Sequence, residues 1–273
     1  MTRLADLVYR EYMTFFEKAE RTRRWNLFND VPWDKLEACP RDPDLALCAE
    51  TFCGVEMYLP DYVSKGMEAV RESFGQSWFM SNWAYEESKH SIALREYLLR
   101  TGQRSEEEMN AYTDAIMARR WQKPFDTGRL MTIYGAIQEM TTFVIYNKQE
   151  RMARERGDEI LGEVYRLIAR DEIAHTRFYE KVTALLLEDD PEGTKADLAW
   201  VFRHFTMPAY DLVPDYDDRI RVMRTAGIDR GVFVKEVWLT ILKRLGLTRH
   251  DLPPSHLLRR NDTPSGPRIT VAS

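Results

Sequence analysis

Residues 130–146 read Leu-Met-Thr-Ile-Tyr-Gly-Ala-Ile-Gln-Glu-Met-Thr-Thr-Phe-Val-Ile-Tyr, and Glu139 is the only charged residue among them. A helix this apolar is buried almost all round. An ionised carboxylate alone in such a place costs several kcal/mol or takes up a proton. A bound metal ion removes the difficulty; a protonated or hydrogen-bonded core glutamate is the plainer alternative for this helix taken by itself. Glu56 is a milder case, the only charge between Thr51 and Pro60. Pro60 cannot donate the hydrogen bond that the Glu56 carbonyl would accept, so a kink or bulge is expected there.

Two further segments carry the same polar pair. Glu87 precedes His90 by three residues, and Glu172 precedes His175 by three. On a helix, residues three apart share a face, so each pair can reach one metal. Both sit in apolar stripes at helical spacing: Met80, Trp83, Glu87, His90, Leu94 and Tyr97 in one, Tyr165, Ile168, Glu172, His175, Tyr179 and Val182 in the other. The layout then repeats. Glu56 is followed 31 residues later by Glu87-x-x-His90, and Glu139 is followed 33 residues later by Glu172-x-x-His175. Two helical hairpins related by a pseudo-two-fold axis would produce this. A lone histidine on an apolar face is ordinarily a satisfied core residue; the conjunction of two pairs, two isolated glutamates and near-equal spacing is the ligand set of a dinuclear carboxylate centre in a four-helix bundle. Four carboxylates and two imidazoles without thiolate suit iron or manganese better than structural zinc.

The rest of the chain agrees with an all-α reading. Glycine and proline are sparse between residues 61 and 190, and helices are expected at about 2–22, 43–74, 76–101, 105–120, 127–156, 158–188, 193–205 and 230–246. No glycine-rich phosphate loop occurs. The 273 residues carry a net charge of −5, against a general nucleic-acid binder. No uncharged run is long enough for a membrane span, and the start MTRLADLVYREYMTFF is unlike a secretory signal, so a cytoplasmic location is expected. Cys39, Cys48 and Cys53 are odd in number and expected as free thiols. Arg21, Arg23 and Arg24 form one basic cluster and Arg219, Arg221 and Arg224 another; each is expected on a solvated helix face, with docking of an acidic partner as the functional alternative.

Four motifs in order resemble those of the soluble acyl-ACP desaturases, over roughly residues 20–185. These are Glu56-Met-Tyr-Leu-Pro-Asp-Tyr62, Trp83-Ala-Tyr-Glu-Glu-Ser-Lys-His90, Gln138-Glu139-Met140-Thr141-Thr142 and Asp171-Glu172-Ile-Ala-His175. The resemblance implies a ferritin-like four-helix bundle with additional flanking helices, residues 1–250 forming one di-iron domain and 251–273 a flexible tail. It implies two iron ions held by Glu56, Glu87, His90, Glu139, Glu172 and His175, and a cis double bond introduced into an acyl chain on acyl carrier protein with O₂ and a ferredoxin-like electron donor. It also implies a homodimer. It gives Thr142 a place one turn after Glu139, facing bound oxygen, with a bond back to its own helix as the plain alternative. Trp25, Asp171 and His90 are implied as a chain from the surface to the centre, and Trp83 as a further site residue. Tyr85, Ser88-Lys89 and Ile173-Ala174 depart from the pattern, and Tyr85 in particular suggests altered substrate choice. Two rival readings use the same helices: a hydroxylase or N-oxygenase on the same centre, and a ferritin-like iron-handling protein.

Overall fold

The computed structural model describes residues 2–207, 212–225, 227 and 229–254; the expected tail lies outside them from residue 255 onward. Every regular element among the described residues is helical. The long helices are α1 (Arg3–Lys18), α2 (Pro43–Glu56), α3 (Leu59–Val70), α4 (Phe74–Arg100), α5 (Glu106–Met117), α6 (Gly128–Glu155), α7 (Glu159–Asp189) and α8 (Pro191–His204). Then come α9 (Tyr216–Thr225), α10 (Arg230–Val232) and α11 (Leu239–Arg244), the last two joined by a π-helical segment, Phe233–Trp238. None of the described helices is long and apolar enough to cross a membrane.

The starts follow from local chemistry. Asp42 caps α2 by accepting from the Asp44 and Leu45 amides, with Pro43 in the first turn, and Thr127 caps α6 through Leu130. Ser105 and Glu108 form a reciprocal capping box on α5. Between α6 and α7 the chain reverses through Gly157, whose φ of +83° is left-handed, and Asp158 then caps α7. The Tyr97 hydroxyl donates to the same Asp158 at 2.6 Å, which pins the far end of α4 to that turn.

Helices α2, α4, α6 and α7 make the bundle, α2 packed along α4 and α6 along α7. Helix α1 lies across α4 and α7, α3 covers α4 and α6, and α8 rests on α6 and α7. Both expected apolar stripes face inward: Leu94, Tyr97, Tyr165 and Ile168 are fully buried.

Three details differ from the sequence reading. The helix expected at 43–74 is two helices. It stops at Glu56, turns through Met57 and Tyr58, and restarts with Pro60 in the first turn of α3, where a missing amide hydrogen costs nothing. Helix α9 lies where no element was expected, because half of its residues are charged; its Val222 is buried and Arg219 anchors it. Neither arginine cluster is simply a solvated face. Arg219 is buried, pairing with Glu50 at 2.8 Å and donating to Thr51 at 3.0 Å. Arg23 is buried as well, among groups described below. The three cysteines are free, Cys48 and Cys53 buried and Cys39 half-buried.

Gly54, two residues before Glu56, lets α2 approach α5: a Cβ there would meet the Tyr112 ring and Ile116 Cδ1 within 3.0 Å. Gly54→Val is therefore expected to cost ~1–3 kcal/mol by overpacking. Urea denaturation measures it, and an unchanged midpoint would contradict this packing.

Candidate metal centre

Six side chains from four helices meet in the middle of the bundle. Glu56 comes from the last residue of α2, Glu87 and His90 from α4, Glu139 from α6, Glu172 and His175 from α7. All six are at most 6% exposed. They form two overlapping groups, Glu56, Glu87, His90 and Glu172, and Glu87, Glu139, Glu172 and His175. Within each group one donor atom per residue lies within 4.8 Å of the others, so each group could hold a metal ion. Glu87 and Glu172 belong to both. His90 Nδ1 lies 3.3 Å from Glu87 and 3.3 Å from Glu172; His175 Nδ1 lies 3.1 Å from Glu87 and 3.1 Å from Glu139. Both rings thus present Nδ1 to the centre of the cluster.

The electrostatics are those of a site that wants cations. Burial, then the charges of Glu87 and Glu172 respectively, pushes Glu56 and Glu139 well above the usual carboxylate range. Against the same burial, His90 and His175 hold Glu87 down to about 2. Both imidazoles are raised well above their ordinary value, overcoming burial through their carboxylate neighbours. Two atoms at the heart of the cluster, Glu87 Oε1 and His90 Nδ1, have no hydrogen-bond partner. Buried polar atoms are otherwise paired almost everywhere in folded proteins. A carboxylate oxygen and an imidazole nitrogen that face the middle of the cluster without a hydrogen bond are what a divalent ion would satisfy, so the donor set fits a dinuclear metal centre.

Around the six lies a ring of supporting groups. His90 Nε2 is 3.4 Å from Asp171, and Trp25 donates its indole N–H to the same Asp171 oxygen at 2.6 Å. His175 Nε2 faces Glu86 at 2.7 Å. Each carboxylate orients its imidazole through Nε2 and so turns Nδ1 toward the cluster. Against its burial, the hydrogen bond and charge of His90, and then the charge of Arg23, hold Asp171 below the ordinary carboxylate range. Trp83 donates to Glu139 at 3.0 Å, and the Tyr146 hydroxyl donates to Glu56. Thr142 Oγ1 lies 2.5 Å from Glu172 Oε2, with its own helix's Gln138 and Glu139 carbonyls also in range. Its single proton goes to the carboxylate, the stronger acceptor.

The structure thus brings the six expected ligands together, sets Trp25, Asp171 and His90 in one hydrogen-bonded line, and puts Trp83 and Thr142 against the cluster. Tyr85 does not lie there. It is 57% exposed, with Arg24 and Lys89 over its ring. Position 85 therefore cannot shape the site directly. Glu86, Arg23 and Tyr146 were not anticipated. Glu86 had a signal: the repeat is five residues long, Glu86-Glu87-x-x-His90 and Asp171-Glu172-x-x-His175. Each leading acid holds the histidine of the other hairpin.

An apolar pocket opens against Glu139 and Trp83. It runs between α3, α4, α6 and α7 along Tyr62, Met80, Met131, Gly135, Phe178 and Tyr179. Gly135 lets the Tyr179 ring lie on α6, since a Cβ would come within 2.8 Å of it.

Comparison with known proteins agrees with this picture. A family model described as fatty acid desaturase matches residues 39–248. The chain is 29% identical over 235 residues to a stearoyl-[acyl-carrier-protein] 9-desaturase of Olea europaea, covering 80% of this chain and 59% of that protein. It is 28% identical over 231 residues to stearoyl-[acyl-carrier-protein] 9-desaturase 5 of Arabidopsis thaliana, covering 80% and 58%. The chain therefore spans less than two thirds of these relatives. Among solved structures, one described as an acyl-ACP desaturase of Mycobacterium tuberculosis superposes with a TM-score of 0.66 at 17% identity, over 92% of this chain and 100% of that one. An R2-like ligand-binding oxidase with a Mn/Fe cofactor superposes with a TM-score of 0.54 at 14% identity, over 90% and 92%. At such identity these two speak for the fold, a ferritin-like bundle.

Metal-free, the cluster should be a pH-dependent burden. Glu56 has a raised folded-state value, so the stability linked to it is full below the unfolded carboxyl value of about 4.3 and is lost as pH rises above it. Glu56→Gln keeps an oxygen for Tyr146 and removes that loss. In chelator it is expected to raise the melting temperature more at pH 8 than at pH 5. An equal effect at both would contradict the assignment.

Proposed function

This chain belongs to the fatty acid desaturase family, whose model matches residues 39–248, and on that premise we propose that it is a di-iron oxidase. In this reading it uses O₂ to insert a cis double bond into an acyl chain carried as a thioester on acyl carrier protein. One observation carries it. Glu87 Oε1 and His90 Nδ1 are orphaned inside two interlocked carboxylate–imidazole groups, beside an apolar pocket. One ion would be held by Glu56, Glu87, His90 and Glu172, the other by Glu87, Glu139, Glu172 and His175, with Glu87 and Glu172 shared. Two ferrous ions held there would supply the redox chemistry by which O₂ is reduced. The overall change balances as removal of one hydrogen from each of two adjacent methylenes, with two electrons and two protons added, and O₂ leaving as two waters.

The chain's own residues do the rest. Asp171 and Glu86 hold the imidazole Nε2 protons, so both Nδ1 lone pairs point inward. Trp83 orients Glu139 and Tyr146 orients Glu56, which keeps the carboxylates from swinging. Thr142 Oγ1 holds a proton beside Glu172, next to Glu139 and the pocket. The apolar lining, rich in aromatic and Met side chains, excludes water and positions a methylene against Glu139.

Partners follow from the surface. Lys89 covers the Trp25 ring at 4.3 Å, so the Trp25–Asp171–His90 line ends under a cation suited to an acidic, ferredoxin-like electron donor. A groove between α1 and α7, lined by Lys18, Arg170, Arg177 and Lys181, suits an acidic carrier. Phe74, Trp78, Tyr85 and Ile92 form an exposed apolar stripe along α4, the last three seven residues apart, which supports a homodimer seam.

The test is product analysis. Reduced, iron-loaded chain is given a panel of acyl-ACPs, a ferredoxin system and O₂, and the acyl chains are weighed by mass spectrometry. A loss of two mass units is expected. A gain of sixteen would make it a hydroxylase, and oxygen consumption with unchanged chains would leave no substrate oxidation to explain.

A further inference from the structure

Helix α1 ends in a π-helical turn, Ala19–Arg23, in which the Arg24 amide donates to the Ala19 carbonyl. That turn delivers Arg23 into the core, 6% exposed, against the ring of Phe15. Its guanidinium meets two acids from different hairpins. Nη1 donates to Asp171 Oδ1 at 2.5 Å; Nη2 donates to both Glu86 oxygens at 2.7 and 2.9 Å. These are the two carboxylates that face the histidines, Asp171 facing His90 and Glu86 facing His175. His90 belongs to one four-residue group and His175 to the other. One planar fork therefore sits behind both imidazoles. Each carboxylate also has a second support: Trp25 donates to Asp171, and Arg24 donates to Glu86. Among the described residues, only Arg23 donates to both.

We propose that Arg23 is a positioning residue for both halves of the centre at once, locking the two imidazoles into register by bridging Asp171 and Glu86. The proposal rests on the dinuclear reading above. Its geometry gives a signature that mere charge neutralisation would not. Loss of Asp171 or Glu86 loosens one imidazole, whereas loss of the bridge loosens two. A lysine keeps the charge but not the fork, since an ammonium is a point charge that cannot span both acids with fixed bonds.

Mn(II) is titrated anaerobically into the metal-free chain, and free ion is read by electron paramagnetic resonance. The native chain is expected to take two tightly held ions. Asp171→Asn and Glu86→Gln are each expected to leave one ion tight and weaken the other. Arg23→Lys and Arg23→Gln are expected to weaken both, each by ~10–100-fold, the range for loss of a group behind a metal ligand. Circular dichroism follows the fold in parallel. Arg23→Lys with two ions still tight, or with only one weakened, would overturn the proposal. So would loss of the helical signal in Arg23→Lys, since Arg23 would then serve the fold. A native chain that takes fewer than two ions would remove the dinuclear reading and this inference with it.

Discussion

Four carboxylates and two imidazoles lie in the core of a helical bundle with no solvent to share their charge. That is the constraint on which the structure depends. Without a cation the like charges of Glu56, Glu87, Glu139 and Glu172 repel at close range; Glu56 and Glu139, pushed up by burial first and by a neighbouring carboxylate second, record the cost. Protons on His90 and His175 are the stopgap available to the bare chain. A pair of divalent ions would satisfy every group together. The bundle tolerates the cluster because the apolar stripes of α4 and α7 and the buried stretch of α6 from Leu130 to Tyr146 secure it by packing elsewhere.

The supporting ring has a logic that single motifs hide. Each hairpin contributes an acid, a shared glutamate and a histidine, and each acid reaches across to the other hairpin's histidine. The two halves are thus interlocked before any ion arrives. The N-terminal helix closes the interlock, since Arg23 and Trp25 enter from a single turn outside the four-helix core. This explains why a peripheral helix packs on α4 and α7, the two helices that bear the histidines.

Much of this was legible in the residues. Glu139 alone in a run of apolar residues, and the twofold spacing of Glu-x-x-His, led to an all-α bundle and to a six-residue cluster that the structure assembles. The break after Glu56 was half legible: Pro60 announced an irregularity, but not that α2 would end on Glu56 itself. Buried arginines were not legible, because a cluster such as Arg21-Thr-Arg23-Arg24 ordinarily faces water, and only tertiary contact shows which one turns inward. Helix α9 escaped for the same reason, its register set by Arg219 against Glu50 and Thr51 rather than by apolar periodicity. Tyr85 misled because a departure from a motif marks a change of environment without saying which side of the helix it lies on.

The central claim is that these six residues hold two ions between them. Anomalous diffraction at the iron edge, from crystals of the chain loaded with ferrous iron under anaerobic conditions, tests it most directly. The account predicts two peaks about 3.5–4 Å apart, with Glu87 and Glu172 between them, His90 Nδ1 against one and His175 Nδ1 against the other. A single peak, or iron bound only at surface carboxylates with the cluster left without it, would contradict it.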